Sequence, residues 1–263
     1  MAFLEMRIYS KSLKQTTTVN ILLPEAPHKR TTAVGSPCDN WTTLWLLHGL
    51  SGSHEDWTRN TSIERYAQEY PDLCIVMPNV GRNWYTDAVS GANYFTYVTE
   101  ELPAILRSYF TGMRPEREYN YVGGLSMGGY GAMLLSMTYP DRYAGAISLS
   151  GSIDITREGR GIDIPLWRSV FKFDLQEGSE LKNTKHDIYH LIEENKKAGV
   201  EFPKLFIWCG TEDFLIHNNR RLHQQLADLG IDHHYYESEG DHSWGWWDMH
   251  IQPALKFMFG PQE

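Results

Sequence analysis

The sequence predicts an α/β fold, in which helices cover both faces of a mostly parallel central sheet of about eight strands. Short apolar runs alternate along the chain with segments of helical spacing, which is the pattern that produces parallel sheets. The runs "TTLWLLHGL" and "DLCIVMP" are apolar almost throughout, as strands buried on both faces require. A length of 263 residues, of which 41% are hydrophobic, suits a single domain over residues 1–263 with a large core.

The order of the elements follows from the runs and the turn residues that bound them. The predicted strands are "MRIYSKSL", "TTTVNILLP", "TTLWLLHGL", "DLCIVMP", "EYNYVGGLS", "YAGAISLSG", "PKLFIWCG" and "HHYYESEG". The predicted helices are "SIERYAQEY", "YVTEELPAILRSYF", "MGGYGAMLLSMTYP", "DIYHLIEENKKAG", "NRRLHQQLADLG" and "WGWWDMHIQPALKFMF".

Two stretches depart from the regular pattern. Pro103 lies inside the second predicted helix and is expected to kink it, because proline has no N–H to donate. From residue 152 to about residue 185 the periodicity is lost, and Trp, Phe, Asp and Gly are mixed. Since connections of this length are uncommon and often functional, we predict a lid-like insertion at residues 152–185, after the sixth strand.

The composition argues against several kinds of partner. A formal net charge of −9 argues against nucleic acid and anionic membranes, because binding to phosphate groups requires clustered Lys and Arg. No run approaches the roughly 18 apolar residues of a transmembrane helix. The stretch "MAFLEMRIYS" has no basic segment followed by an apolar run, so we expect no signal peptide and a cytoplasmic protein. Cys74 and Cys209 lie in apolar runs and are expected to be buried free thiols.

A serine stands among glycines between the fifth strand and the helix that follows it. Five of the twelve residues in "YVGGLSMGGYGA" are glycine, and Gly124, Ser126 and Gly128 form a G-x-S-x-G motif. A sharp turn from strand to helix strains the backbone of its central residue and exposes that side chain above the sheet. Glycines two residues before and after relieve the close contacts of such a turn. Ser126 is therefore the predicted nucleophile.

A serine hydroxyl needs a base to take its proton, and the base needs an acid to orient it. In this arrangement the chain order is serine, then acid, then histidine. Asp213 follows the strand "KLFIW" and His242 follows the strand "HHYYES", so both are expected at the carboxyl edge of the sheet. Glu212 and Asp241 are the rival acids. We predict a catalytic triad of Ser126, His242 and Asp213.

Acyl transfer also needs N–H donors for the oxyanion that forms on the substrate. The N–H of Met127 stands at the start of the helix after Ser126, where the helix terminus favours negative charge. The second donor is expected in the loop after the third strand, and we assign it to the backbone N–H of Leu50. His48, at the start of that loop, is predicted to hold it by a hydrogen bond.

Aromatic side chains offer candidate contacts with a substrate. Trp84 and Tyr85 follow the fourth strand at the predicted edge of the site, and Trp167 lies in the insertion. We name these three as substrate-binding residues. Two alternatives stay open: Trp84 and Tyr85 pack under the lid, and Trp167 forms a contact between subunits.

Four motifs together resemble the esterase D-like branch of the α/β-hydrolases, and within it most closely the bacterial tributyrin esterase (EstA-type) group. They are "HGLSGSHEDW", "GLSMGGYGA", "GTEDF" and "DHSWGWW", in this order and over nearly the whole chain. The resemblance implies an α/β-hydrolase fold and a serine carboxylesterase for small esters with short acyl groups, acetyl to butyryl. It also implies no cofactor and a homo-oligomer, a dimer or a tetramer.

Related activities stay open as alternatives. S-formylglutathione hydrolases share this branch, but they typically have a Thr-Cys pair where this chain has Ser51 and Gly52, and a His where it has Leu125. Feruloyl esterases and carbohydrate acetyl esterases are also relatives. An acyltransferase of the same fold would use the same triad, whereas a non-catalytic binding module would usually have lost one member of it.

The sequence gives no sign of a metal site. It has no H-E-x-x-H motif and no closely spaced cysteine pair. His233 and His234 are adjacent on a predicted strand and therefore face opposite sides of the sheet.

Overall fold

The centre of the structure is one sheet of eight strands. This computed structural model describes residues 1–25, 40–155, 164–171 and 181–261. The strands are, in chain order, β1 (Ala2–Ser10), β2 (Gln15–Leu23), β3 (Thr42–Leu47), β4 (Leu73–Pro78), β5 (Asn120–Leu125), β6 (Gly145–Leu149), β7 (Lys204–Gly210) and β8 (His234–Ser238). Each of them overlaps a strand that the sequence predicts.

The sheet is mostly parallel, with an antiparallel hairpin at one edge. Across the sheet the strands run in the order β1-β2-β4-β3-β5-β6-β7-β8. β1 pairs with β2, and β2 with β4, in antiparallel register, whereas every pair from β4 to β8 is parallel. The carboxyl ends of β3 to β8 therefore meet at one edge, where open α/β sheets hold their sites. The predicted fold class is confirmed.

Helices cover both faces of this sheet. The α-helices include α1 (Asp56–Asn60), α2 (Ile63–Ala67), α3 (Tyr94–Thr96), α4 (Leu102–Tyr109), α5 (Met127–Thr138), α6 (Ile164–Phe171), α7 (Ile188–Lys197), α8 (Ile216–Asp228) and α9 (Trp244–Phe259), and a short 3-10 helix spans Arg117–Tyr119. Buried side chains of α4, α5, α7 and α8 belong to the core on one face, and those of α1, α2 and α9 to the core on the other.

The central strands are apolar throughout because each of their faces is buried. In β3, Leu44 and Leu46 point into the core beside α9, whereas Trp45 and Leu47 point into the core beside α5. All four side chains are at most 2% exposed. Alternate residues of a strand face opposite sides, so the unbroken apolar run in the sequence reports burial on both sides.

The structure shows what replaces regular structure in the two irregular stretches, the predicted second helix and the predicted insertion. The predicted second helix is interrupted by a π-helical turn, Tyr97–Glu101, which lies just before α4 and Pro103. Within the predicted insertion the structure contains α6, against which the 79–93 loop packs: Val89 N–H donates to Val170 O over 3.3 Å and Ser90 N–H to Ser169 O over 3.2 Å. Residues 156–163 and 172–180 lie outside the described residues, and a lid role for the insertion stays a prediction.

Two further expectations concern membranes and cysteines. Within residues 1–25, 40–155, 164–171 and 181–261, no helix has both the length and the apolar character needed to cross a membrane. Cys74 and Cys209 are buried free thiols, as predicted.

His250 of α9 is a buried histidine that packs against the last two strands. Its ring stacks on Trp208 with the ring centroids 3.8 Å apart, and the side chain is 7% exposed. The hydroxyl of Tyr236 lies 2.8 Å from Nδ1, and that of Ser238 lies 3.2 Å from Nε2. Burial lowers the pKa of His250 from 6.5 to about 4, because an imidazolium would lose its hydration there.

The His250 environment predicts a loss of stability in acid. Between pH 6.5 and about 4 the unfolded chain binds a proton that folded His250 does not bind, so the free energy of unfolding falls as the pH falls. The full effect is about 3 kcal/mol. Urea unfolding at pH 7, 5.5 and 4.5 should therefore show a smaller pH dependence for His250→Gln than for the wild type. The exposed His217→Gln is the control, and equal slopes for all three proteins would contradict the prediction.

Candidate active site

Ser126 occupies a strained turn between β5 and α5. Its backbone has φ 54° and ψ −119°, a region that residues with a side chain rarely adopt. Its N–H donates to Leu149 O over 3.0 Å, and its carbonyl accepts hydrogen bonds from Tyr130 N–H at 3.0 Å and Ser152 N–H at 3.1 Å. These bonds to β6, to the residues beyond it and to α5 hold the strained conformation in place.

The two motif glycines are needed because backbone segments approach each other closely here. A Cβ on Gly124 would lie 2.6 Å from the carbonyl of Gly128. A Cβ on Gly128 would lie 2.4 Å from Leu47 O and 2.7 Å from His48 O, at the end of β3. The role that the sequence predicts for these glycines is therefore confirmed, and the contacts show that the turn is packed against β3 as well.

Hydrogen bonds connect Ser126, His242 and Asp213 in a chain. Ser126 Oγ lies 2.9 Å from His242 Nε2, and His242 Nδ1 lies 2.8 Å from Asp213 Oδ2. Because an ionised carboxylate only accepts, Nδ1 carries the ring proton and Nε2 presents its lone pair to the Ser126 hydroxyl. The structure thus brings together all three residues of the predicted triad, in an arrangement that can remove a proton from Ser126.

The environment of Asp213 keeps its carboxylate ionised. The side chain is fully buried, and burial alone would raise its pKa. The hydrogen bond and charge of His242, the N–H of Leu215 at 2.8 Å from Oδ1, and the nearby hydroxyl of Ser150 outweigh burial, so the pKa of Asp213 is lowered. An ionised Asp213 both orients the imidazole and stabilises its charged form.

The two rival acids are engaged elsewhere. Glu212 accepts a hydrogen bond from Gly240 N–H at 2.7 Å and another from the Thr211 hydroxyl at 2.8 Å. Asp241 accepts one from the Ser243 hydroxyl at 2.5 Å. Glu212 thus connects the loop that carries Asp213 to the loop that carries His242, a positioning contact that sequence reasoning did not find.

Leu50 and Met127, the predicted oxyanion donors, both lie in segments next to Ser126. Met127 is the first residue of α5, directly after Ser126, and Leu50 lies in the loop after β3, against which the turn packs. Among the residues that the structure describes, neither backbone N–H has a hydrogen-bond acceptor. Both N–H groups can therefore donate to a substrate, and their role as oxyanion donors stays a prediction.

His48 holds the start of the same loop. Its Nε2 accepts a hydrogen bond from Val80 N–H at 3.0 Å, so Nδ1 carries the proton and donates to Gly49 O over 2.7 Å. Burial lowers the pKa of His48, which favours this neutral form. His48 therefore joins the loop after β3 to the loop after β4, in agreement with its predicted structural role.

Trp84, Tyr85 and Trp167, the predicted substrate-binding residues, are at most 2% exposed. The ring centroids of Trp84 and of Trp167, which belongs to α6, are 5.2 Å apart. Tyr85 donates from its hydroxyl to His48 O over 2.8 Å and lies against Gly131, where a Cβ would be 2.4 Å from the tyrosine ring. This burial favours the packing alternative, and contact between these residues and a substrate stays a prediction.

Phe214 is a site residue that sequence reasoning missed. Its side chain is 73% exposed, and its ring centroid lies 4.5 Å from that of His242. Trp247 meets the His242 ring edge-on at 4.9 Å and donates from its indole to Ser150 Oγ over 3.1 Å. The available signal was a large aromatic side chain directly after the predicted acid, in a loop where burial does not require one.

Comparisons with known proteins place the chain among esterases. The Esterase family model, described as "Putative esterase", matches residues 10–258. The acetyl esterase of Caldicellulosiruptor saccharolyticus is 32% identical over 98% of each chain. The structure of FphF, a fluorophosphonate-binding serine hydrolase of Staphylococcus aureus, superposes with a TM-score of 0.88 at 28% identity over 99% of each chain. The S-formylglutathione hydrolase FrmB of Staphylococcus aureus gives a TM-score of 0.85 at 28% identity over 98% of each chain.

The close packing of the Ser126 turn predicts that Gly128→Ala is harmful. The new methyl group would meet two backbone carbonyls that cannot rotate away, so we expect a loss of stability of about 1–3 kcal/mol. Displacement of Ser126 should lower ester hydrolysis by about 100-fold. Gly245→Ala is the matched control, because a Cβ there meets no atom within 4 Å. Urea unfolding and initial rates measure both effects, and equal behaviour of the two variants would contradict the prediction.

Proposed function

The chain belongs to the Esterase family and is a carboxylic ester hydrolase of the α/β-hydrolase fold, and on that premise we propose how it works. Ser126, His242 and Asp213 are its catalytic residues, and its substrates are small esters of short acyl groups, from acetyl to butyryl. The observation that carries this proposal is the chain of hydrogen bonds of 2.9 and 2.8 Å that runs from Ser126 through His242 to Asp213.

The first half of the reaction transfers the acyl group to the enzyme. Ser126 Oγ attacks the ester carbonyl while His242 Nε2 takes the hydroxyl proton. The backbone N–H groups of Leu50 and Met127 donate to the oxyanion of the tetrahedral intermediate. When the intermediate collapses, the bond to the alcohol breaks and the alcohol leaves with the proton from His242. Asp213 stabilises the imidazolium while that proton is held.

The second half returns the enzyme to its starting state. Water replaces the alcohol and gives a proton to His242 as its oxygen attacks the acyl carbonyl. The second tetrahedral intermediate expels Ser126, which regains its proton, and the carboxylic acid leaves. Since the imidazole must be neutral to accept each proton, hydrolysis should weaken on acidification.

Two lines of support favour short acyl groups. The chain is similar along 98% of its length to an acetyl esterase, and its motifs resemble those of the tributyrin esterase group, to which we assign it.

The exposed ring of Phe214 beside His242 is placed to contact the alcohol portion of the ester, because His242 delivers the proton to the leaving alcohol.

A thioesterase acting on S-formylglutathione is the second candidate. The structural similarity to FrmB, with a TM-score of 0.85 at 28% identity, favours it. The sequence differs from the usual pattern of those enzymes at Ser51, Gly52 and Leu125. Direct comparison of oxygen esters with the thioester distinguishes the two candidates.

The test replaces the nucleophile and surveys substrates. Ser126→Ala should lower kcat at least about 1,000-fold for p-nitrophenyl acetate and butyrate with an unchanged circular dichroism spectrum. The control, Ser136→Ala, removes a buried hydroxyl of α5 that donates to Met133 O over 3.3 Å, and should retain activity. In the wild type, kcat/KM should be higher for acetate and butyrate than for octanoate, methyl ferulate or S-formylglutathione.

Three outcomes would contradict the proposal in different ways. Near-normal hydrolysis by Ser126→Ala would contradict the proposed triad. A preference for octanoate would remove the short acyl specificity. A higher kcat/KM for S-formylglutathione than for any oxygen ester would establish the second candidate instead.

A further inference from the structure

Three side chains with metal-binding atoms converge where the β1–β2 hairpin meets the loop between β3 and α1, which contains Leu50 and is termed the oxyanion loop. They are Glu5 of β1, and His54 and Glu55 of the loop between β3 and α1. One ligand atom from each, two carboxylate oxygens and an imidazole nitrogen, lies within 4.8 Å of the other two. Ligands of a single four-coordinate ion, each about 2.0–2.2 Å from the metal, lie somewhat closer together than this, so small side-chain rotations would complete the site.

Two buried polar atoms beside these residues have no hydrogen-bond partner in the part of the chain that the structure describes. His54 Nδ1 is shielded from solvent, and so is Asn20 Oδ1, and neither has a hydrogen bond among the residues that the structure describes. Asn20 is only 2% exposed and lies directly opposite Glu5 in the register of β1 and β2. Directly opposed residues share a face of the sheet with their Cβ atoms about 5 Å apart. Since buried polar atoms are normally paired, these two are available to accept or coordinate a ligand.

The charges here are compatible with a cation. Arg7 contacts one oxygen of Glu5 at 3.5 Å, and Arg59 contacts one oxygen of Glu55 at 3.1 Å. All four of these side chains are well exposed, and exposed ion pairs contribute little to stability. Each arginine contacts only one carboxylate oxygen, so the second oxygen of each carboxylate can face an ion.

We propose that Glu5, His54 and Glu55 bind a divalent transition-metal ion, with Zn²⁺ as the favoured ion and Asn20 Oδ1 beside it. Zn²⁺ takes imidazole nitrogen and carboxylate oxygen as ligands. Ca²⁺ and Mg²⁺ use oxygen ligands almost exclusively, so the histidine argues against them. The ion is structural and takes no part in ester hydrolysis.

The bound ion would fasten the oxyanion loop to the edge of the sheet. His54 and Glu55 follow Leu50 by four and five residues in the same loop, whereas Glu5 and Asn20 belong to the β1–β2 hairpin. An ion that bridges these two segments restricts the loop and stabilises the folded chain, because it binds the folded form alone.

The test measures Zn²⁺ binding directly on the full chain after treatment with EDTA. Isothermal titration with ZnCl₂ should give one ion per chain, and His54→Ala and Glu5→Gln should each weaken binding at least about tenfold. Zn²⁺ should raise the unfolding temperature of the wild type and have little effect on that of His54→Ala. His217→Ala and Glu64→Gln, which remove an exposed histidine and an exposed carboxylate elsewhere, should bind as the wild type does.

Several results would overturn this site. One is no Zn²⁺ binding by the wild type, and another is unchanged binding by both His54→Ala and Glu5→Gln. Binding that is lost only in His223→Ala would place the ion at the pair of His223 and His233, whose nitrogens are 2.7 Å apart. Tighter binding of CaCl₂ than of ZnCl₂ would also overturn the assignment. Because Glu5 is on the surface, we expect Glu5→Gln to fold, so a loss of Zn²⁺ binding in this variant reports on the site itself.

Discussion

The close approach of the Ser126 turn to the end of β3 is the constraint on which the rest of the site depends. The contact exists only because Gly124 and Gly128 have no side chain, since a Cβ on either would lie within 2.8 Å of a backbone atom. It presents the Ser126 hydroxyl above the sheet and starts α5 beside the loop that contains Leu50. One packing contact therefore positions the proposed nucleophile and both proposed oxyanion donors, and it accompanies the strained backbone of Ser126.

A second close contact positions the other two members of the proposed triad. Gly210 ends β7 so near Gly240 that a Cβ would lie 2.0 Å from the Gly240 carbonyl oxygen. The carboxylate of Glu212 fastens the same two loops together through Gly240 N–H. Asp213 and His242 consequently meet at the carboxyl edge of the parallel sheet, above the end of β5. A glycine contact and the carboxylate of Glu212 thus hold these two loops together, as hydrophobic packing holds the core together.

The sequence predicted the features that local pattern determines. The apolar runs of β3 and β4 predicted strands buried on both faces, and the position of G-x-S-x-G between a strand and a helix predicted the turn at Ser126. The order of acid and histidine along the chain then led to Asp213 and His242. Other features depend on three-dimensional proximity and could not be predicted: the exposed Phe214 against His242, the choice between packing and substrate contact for Trp84 and Tyr85, and the convergence of Glu5 with His54. Trp84 and Tyr85 each have φ of 52°, a left-handed backbone conformation that residues with a side chain rarely adopt and that leaves no mark in the residue pattern.

The proposed mechanism requires that His242 and Asp213 make one serine, Ser126, reactive. The most direct measurement is mass spectrometry of the intact chain and its peptides after brief exposure to a fluorophosphonate, which reacts only with an activated serine. We expect one adduct per chain, on the peptide that contains Ser126, and its formation should be slowed at least about 100-fold by His242→Ala. An adduct on another serine, or equal rates in the variant and the wild type, would contradict the account.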